Sequence, residues 1–342
     1  MSNSNPSISI LLPVRNGADT LTGAVESVRG QTFESWELIL IDDGSTDRTP
    51  AVAADLQRTD PRIRVLQQPP CGIVAALNHG LRAALSPMVA RMDADDECFP
   101  QRLQQQHDFL RRHRDIDLVA ARVQFGTEDE RNRGYALHVE WTNSVLTPQD
   151  ISLSRFIESP FAHPSVMFRA STVARFGGYR EGPFPEDYEL WLRWLEAGVR
   201  MAKLPHVLLV WHDAPHRLSR TNARYSTEAF YRCKADYLAH WLAAHNPFHP
   251  HVTVWGAGRL TRKRAAFLEQ HNVVIDAYVD IDPRRIGQRI HGRPVLSPDQ
   301  LPGPGSRFIL SYVGSRGARE DIRERLRTRA YREGKDFIVA AG

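Results

Sequence analysis

The chain has 342 residues and a formal net charge of +4, with 42% apolar and 25% charged residues, an ordinary globular composition. That length suits about two domains with cores of their own. No run approaches the ~18 apolar residues of a membrane span, and the polar start MSNSNPS lacks the apolar stretch of a signal peptide, so neither is expected.

In chain order, SISILLPV (7–14) reads as a buried strand. Leu21, Ala24, Val25 and Val28 then recur at helical spacing, with Gly30 as a stop. WELILIDD (36–43) is a second strand ending in acids. Thr49 and Pro50 mark a helix start, IRVLQQ (63–68) a third strand, and 71–85 a third helix. MVARMDADD (88–96) reads as a fourth strand running into carboxylates. This βα alternation calls for a mostly parallel sheet covered by helices.

Further on, FPQRLQQQHDFLRRH predicts a helix, 117–125 a strand, and 126–160, headed by TEDERNRG, a polar irregular stretch. Strands are expected at 163–169 and 206–211, and helices at 171–179, 185–198 and 225–244. HNPFHPH (245–251) reads as a linker, because its prolines break any regular ligand geometry for the three histidines. From 252 the βα rhythm restarts. The expected division is 1–245, a linker at 246–251, and a small α/β domain at 252–342.

Cys71, Cys98 and Cys233 show no paired spacing, which points to a reducing compartment and away from a cysteine metal site. Arginine clusters at 111–114, 259–264 and 323–329 read as solvated helix faces, or more sharply as contacts for an anionic membrane surface or substrate. Without zinc-finger spacing or basic aromatic strands, no nucleic-acid partner is expected.

Ligands of open parallel sheets sit at the carboxyl ends of the strands. Two strands here end in acids, at Asp42-Asp43 and at Asp93-Ala94-Asp95-Asp96. In an extended D-x-D, Asp93 and Asp95 share a face and can share a divalent cation, Mg²⁺ or Mn²⁺, together with substrate phosphates.

Pro13-x-x-Asn16, Ser27 with Gln31-Thr32, and Asp42-Asp43-Gly44-Ser45-Thr46-Asp47 together resemble the opening of family 2 glycosyltransferases, inverting GT-A enzymes that use nucleotide-sugar donors. The resemblance continues through Asn78-x-Gly80, Asp93 to Asp96, His163 to Arg169, Gly177 to Arg180 and Glu186 to Arg193. It implies a GT-A fold, a Rossmann-like mostly parallel sheet flanked by helices. It also implies a hydroxyl acceptor, saccharide or lipid-linked, and a place in bacterial cell-surface polysaccharide or glycoconjugate synthesis. Such an enzyme would be cytoplasmic, with peripheral contact at the inner face of the plasma membrane open.

By the same resemblance, Asp43 contacts the donor base, Asp93 the ribose, Asp95 the metal, and Asp187 is the catalytic base. Pro13, Arg15 and Asn16 fall on the donor side. Arg15 stands where many relatives carry tyrosine, so the base, UDP- or GDP-type, stays open. Glu186, His163 and Asp96 are candidate supporting residues, while Asp42 and Asp47 read as caps. Trp191 and Trp194 read as core rather than sugar platforms. VWHDAPHRLSRT (210–221) matches the family only loosely, and no residue is carried over from it. A catalytically inactive nucleotide-sugar-binding protein and a D-x-D phosphotransferase are the alternatives.

VTVWGAGRLTRKR resembles a Rossmann-type opening: Gly256-x-Gly258 between strand and helix, then Asp280 at the end of the next strand. The third glycine is replaced by Thr261. The expectation is a small Rossmann-like α/β domain, either holding a second nucleotide at Gly256, Gly258 and Asp280 or serving as a scaffold.

Overall fold

The structure is a computed structural model and describes residues 5–126, 133–212, 218–315 and 317–341. Residues 127–132 of TEDERNRG and 213–217 of the loosely matched stretch lie outside the described residues.

The first sheet contains β1 (Ile8–Val14), β2 (Trp36–Asp43), β3 (Ile63–Gln68), β4 (Met88–Arg91), β5 (Glu97–Cys98), β6 (Leu118–Phe125), β7 (Met167–Arg169) and β8 (Met201–Trp211). Their order is β3-β2-β1-β4-β7-β6-β8-β5. The first four run parallel, β7 is antiparallel to β4 and β6, and β5 is antiparallel to β8. Every residue of β1 and β2 is buried, which is why both are dominated by apolar residues, with Ser9, Glu37 and the terminal Asp42-Asp43 as the exceptions. Glu37 is tolerated there because Ser9 Oγ donates to it at 2.6 Å, the Leu85 N–H at 2.9 Å, and Arg64 pairs with it at 2.6 Å.

Helices α1 (Leu21–Arg29), α2 (Thr49–Thr59), α3 (Ile73–Ala83) and α4 (Arg102–Arg112) connect these strands as expected. The stretch 126–160 departs from expectation, for it carries α5 (Arg133–Ser144) and α6 (Pro148–Ser154). Tertiary bonds hold α5 in place. Asn143 Oδ1 accepts the Val123 N–H at 2.9 Å, Asn143 Nδ2 donates to Val123 O at 2.8 Å, and Arg122 Nε donates to Asn143 O at 2.9 Å. The strand expected at 163–169 starts late, because His163–Ser165 form a 3₁₀ turn before β7.

The remaining helices are α7 (Ala170–Phe176), α8 (Glu186–Glu196), α9 (Leu218–Thr221), α10 (Thr227–His245), α11 (Arg259–Glu269) and α12 (Ala318–Thr328). The second sheet contains β9 (His251–Trp255), β10 (Val274–Val279), β11 (Arg289–Ile290), β12 (Arg293–Leu296), β13 (Ile309–Ser311) and β14 (Phe337–Val339). Its order is β11-β12-β10-β9-β13-β14, parallel except for the β11–β12 pair.

Two compact units result. One comprises 1–151, 160–182 and 197–221; the other comprises 152–159, 183–196 and 222–342. The second unit takes in α8 and α10 because one apolar cluster joins Tyr188, Leu192, Leu238 and Leu242 to Val254, Leu268 and Phe308. Trp191 and Trp194 are buried and packed edge-to-face at 5.8 Å, as core residues.

Each unit also buries a lysine. In the first, Lys203 Nζ donates to Thr142 O and Pro160 O. In the second, Lys234 Nζ donates to Phe156 O at 2.9 Å, Ile157 O at 3.3 Å and Ala340 O at 2.8 Å. Burial lowers each to about 7 from an ordinary 10.5. A lysine depressed on folding binds fewer protons in the native than in the unfolded state. Stability should therefore rise with pH between about 7 and 10.5. Between pH 7 and 9 each lysine is expected to contribute about 2 kcal/mol to that rise. Denaturant titrations of Lys234→Met at the two pH values should show the rise reduced by about that amount; an unchanged rise would refute the assignment.

Candidate active site

The carboxyl ends of β1, β2 and β4 lie on one edge because the three strands are parallel neighbours. Pro13 is buried at the end of β1, opposite Ile41. Arg15 is exposed just beyond. Asn16 takes a left-handed φ of 54°, a conformation asparagine tolerates. Its Oδ1 accepts the Thr46 N–H at 2.8 Å, and its own N–H donates to Ser45 Oγ at 2.9 Å. Asn16 thus ties the loop after β1 to the loop after β2.

Asp42 and Asp47 act as caps: Asp42 Oδ1 accepts the Ser45 N–H at 3.0 Å and Asp47 Oδ1 the Thr49 N–H at 2.9 Å. Hydrogen bonding from Thr49 holds the Asp47 carboxyl below its usual range. Asp43 is buried and accepts from Gln68 Nε2 at 2.7 Å and from the N–H groups of Cys71 and Gly72, both at 2.9 Å. It therefore shapes the 68–72 loop that leads into α3.

The carboxylates after β4 are not arranged as an extended strand. β4 ends at Arg91, and Ala94-Asp95 form a turn in which the Asp96 N–H reaches Asp93 O at 3.5 Å. Turning, rather than pleating, gathers the side chains. Asp93, Asp95 and Asp96 can bring three ligand oxygens within 4.8 Å of one another. Asp96, expected at most to support, is the buried member, and its Oδ1 accepts the His212 N–H at 2.8 Å. Arg91, buried behind the turn, pairs with Asp93. Burial opposes the Arg91 charge, but Asp93 outweighs it and raises the guanidinium pKa. Three hard oxygen donors so grouped, with one charge already countered, fit a divalent cation such as Mg²⁺ or Mn²⁺.

His163 is buried, and its Nε2 lies 2.8 Å from Tyr179 Oη. Burial, then the nearby Arg91, holds its pKa well below the usual value, so the ring is neutral. Tyr179 is fixed in turn by Asn78, which accepts its N–H at 3.1 Å and donates to its carbonyl at 2.9 Å. A Cβ on Gly178 would come within 2.6 Å of Asn78 Oδ1, which is the physical demand for glycine there. Sequence reasoning singles out neither Tyr179 nor Arg91, and an arginine two residues before D-x-D is the available signal.

Glu186 and Asp187 belong to the second unit, in the first turn of α8. Asp187 is half-buried, with its Oδ1 accepting the Tyr188 N–H at 2.7 Å. Backbone N–H groups at a helix start favour a carboxylate. Glu186 is buried rather than solvated and accepts from Tyr225 Oη at 2.6 Å. Burial and then the Glu186 charge raise the Tyr225 pKa, keeping that hydroxyl a donor. Glu189, one turn on, is buried and held by Arg193 at 2.9 Å and by Tyr237 Oη at 2.7 Å.

In the second sheet, Gly256 has φ of 111°, and a Cβ there would meet Thr261 Cγ2 and Val313 Cγ2 at 2.8 Å. Asp280 Oδ2 accepts the Ala257 N–H at 2.9 Å and Arg285 Nη1 at 3.1 Å, while Oδ1 accepts the Asp282 N–H at 2.9 Å. A Cβ added at Gly258 would come no nearer than 3.9 Å to Arg285 Nη1, an ordinary contact, so space alone does not require glycine there. Asp280 thus holds the glycine turn from within.

Comparison with known proteins matches residues 9–175 to the family described as Glycosyl transferase family 2. The amylovoran biosynthesis glycosyltransferase AmsE of Erwinia amylovora is 32% identical over 204 residues, 59% of this chain and 74% of that protein. Among solved structures, Staphylococcus aureus TarS 1–349 in complex with UDP-GlcNAc aligns with a TM-score of 0.55 at 18% identity, covering 69% of this chain and 66% of that one. The mannosyltransferase PcManGT of Pyrobaculum calidifontis, in complex with GDP-Man and Mn²⁺, aligns with a TM-score of 0.50 at 20% identity, covering 71% and 65%. At such identities the structural likeness establishes the fold, GT-A, while the sequence relatives establish the class of enzyme, a glycosyltransferase. The chain belongs to glycosyl transferase family 2.

Proposed function

We propose that the enzyme transfers a sugar, with inversion, from a nucleoside-diphosphate donor to a hydroxyl acceptor, using a divalent cation. The observation that carries this reading is the turn that gathers Asp93, Asp95 and Asp96 at the carboxyl end of the parallel strands. Asp95 and Asp93 would hold the cation, with Asp96 behind them. A bound cation would supply positive charge to the diphosphate of the leaving group. Asp43 already accepts three hydrogen bonds. Of a carboxylate's roughly four acceptor positions, one remains for a base N–H. Arg15, exposed, has a guanidinium able to stack on a base or reach a phosphate. Pro13 and Asn16 shape that side rather than reach out from it.

Asp187 is the base in this reading. Its carboxylate takes the proton of the acceptor hydroxyl as the oxygen bonds to the anomeric carbon and the bond to the nucleoside diphosphate breaks. One displacement inverts the configuration. Glu186, anchored by Tyr225, fixes the helix turn that carries Asp187.

Catalysis is assigned to residues 1–245, with 246–251 as connector to 252–342. For that last segment, Asp280 bonded to Ala257 N–H and to Arg285 favours a scaffold over a second nucleotide site at Gly256 and Gly258. The UDP-GlcNAc and GDP-Man of the structural relatives support a UDP- or GDP-sugar donor. No described helix is long and apolar enough to cross a membrane; a saccharide or lipid-linked acceptor for cell-surface polysaccharide, met at the inner membrane face, is the reading we hold. A panel of UDP- and GDP-sugars, assayed for Mn²⁺-dependent release of nucleoside diphosphate, tests it. Release from at least one donor is expected, and none from any would count against it.

A further inference from the structure

We infer that Arg102 and Gln106 on α4 are positioning residues for the carboxylate turn, an inference that rests on reading Asp93 and Asp95, with Asp96 behind them, as the cation site. Arg102 is 1% exposed and Gln106 0%. A buried guanidinium is costly unless its donors are matched, and an apolar side chain would usually serve stability as well. Here the matching groups are all neutral, and three of them flank the turn. Arg102 Nη2 donates to Arg91 O at 2.7 Å, where the chain enters. Its Nη1 lies 3.0 Å from Cys98 Sγ, where the chain leaves, and 3.5 Å from Met92 Sδ.

The same guanidinium reaches across to the next segment. Nη2 is 3.4 Å from Val166 O, which also accepts the Arg91 N–H at 3.1 Å. Arg102 Nε donates to Gln106 Oε1 at 3.1 Å, and Gln106 Nε2 donates to Ser165 O at 2.8 Å and Val119 O at 3.1 Å. One helix turn therefore clamps both feet of the Asp93–Glu97 loop to the backbone that follows His163. Arg91, whose carbonyl is gripped, is the residue whose side chain pairs with Asp93. Fixing its backbone sets where the first carboxylate starts. Groups that orient metal ligands from behind typically change metal affinity about 10–100-fold when lost.

The test is a Mn²⁺ titration of the full chain, reading free Mn²⁺ by electron paramagnetic resonance. Arg102→Lys, Arg102→Met and Gln106→Leu are compared with Asp95→Ala, which marks loss of the site. Leu110→Ala, a buried apolar truncation on the same helix, controls for lost stability. Arg102→Lys and Gln106→Leu should bind Mn²⁺ about 10–100-fold more weakly, and Leu110→Ala within about twofold of wild type. Should Arg102→Met not fold, the other two decide. Folded Arg102→Lys and Gln106→Leu proteins with wild-type affinity would overturn the inference. Absence of Mn²⁺ binding by wild type itself would overturn the cation reading, and the inference with it.

Discussion

Replacing Asp187 with asparagine is expected to lower kcat about 10²–10⁴-fold, the range general-base catalysis contributes, with donor affinity within about twofold of wild type. Asparagine keeps the volume and an oxygen able to accept the Tyr188 N–H, which Asp187 Oδ1 now accepts at 2.7 Å. The helix start should survive, and only the proposed proton acceptor would be lost. Steady-state kinetics paired with calorimetric donor binding separates the two effects. Turnover retained in Asp187→Asn would remove Asp187 from the reaction. Glu186→Gln is the matched control. Glu186 is buried against Tyr225, and its loss should loosen α8 and alter stability before chemistry.

Asp95→Ala is the second large effect. Groups behind metal ligands already change affinity about 10–100-fold, so loss of a ligand should reach at least the upper end of that range. Mn²⁺-dependent nucleotide binding should fall by about 100-fold or more. Asp42→Asn should leave it unchanged, because that carboxylate caps the Ser45 turn. Asp96→Asn should fall between, since one of its oxygens is already committed to the His212 N–H. Binding measured across the three variants ranks the carboxylates directly. Equal losses in all three would mean that general negative charge, rather than ligation, is at work.

What the residues reveal before folding divides along physical lines. β1, α1 and β2 are legible because burial on both faces, helical spacing and a glycine stop all agree there. α5 is not: Gly134, Tyr135, Val139 and Trp141 are weak helix formers, and Asn143 and Arg122 hold the helix against β6. D-x-D is compatible with strand or turn, and the Asp96 N–H to Asp93 O contact decides for the turn. The amphipathic pattern around Trp191 and Trp194 tells that α8 is buried, without telling that α10, α11 and the second sheet share its core. Arg102 and Gln106 sit in RLQQQHDFLRR, which reads as a helix running into a solvated arginine cluster; the carbonyls facing them explain their burial. Asn16 reads as a donor-side residue, and in the structure its side-chain oxygen accepts from the loop after β2.

The central claim is that the Asp93–Asp96 turn binds a nucleoside diphosphate together with a divalent cation. Thermal melting of the wild-type chain with Mn²⁺, with UDP or GDP, and with both, tests it most directly. Saturation at about a hundred times the dissociation constant stabilises by about 2.7 kcal/mol, a shift of several degrees. The expected result is such a shift with one nucleotide and Mn²⁺ together, little with either alone, and none in Asp95→Ala. A wild-type melting point that neither nucleotide moves in the presence of Mn²⁺ would contradict the account.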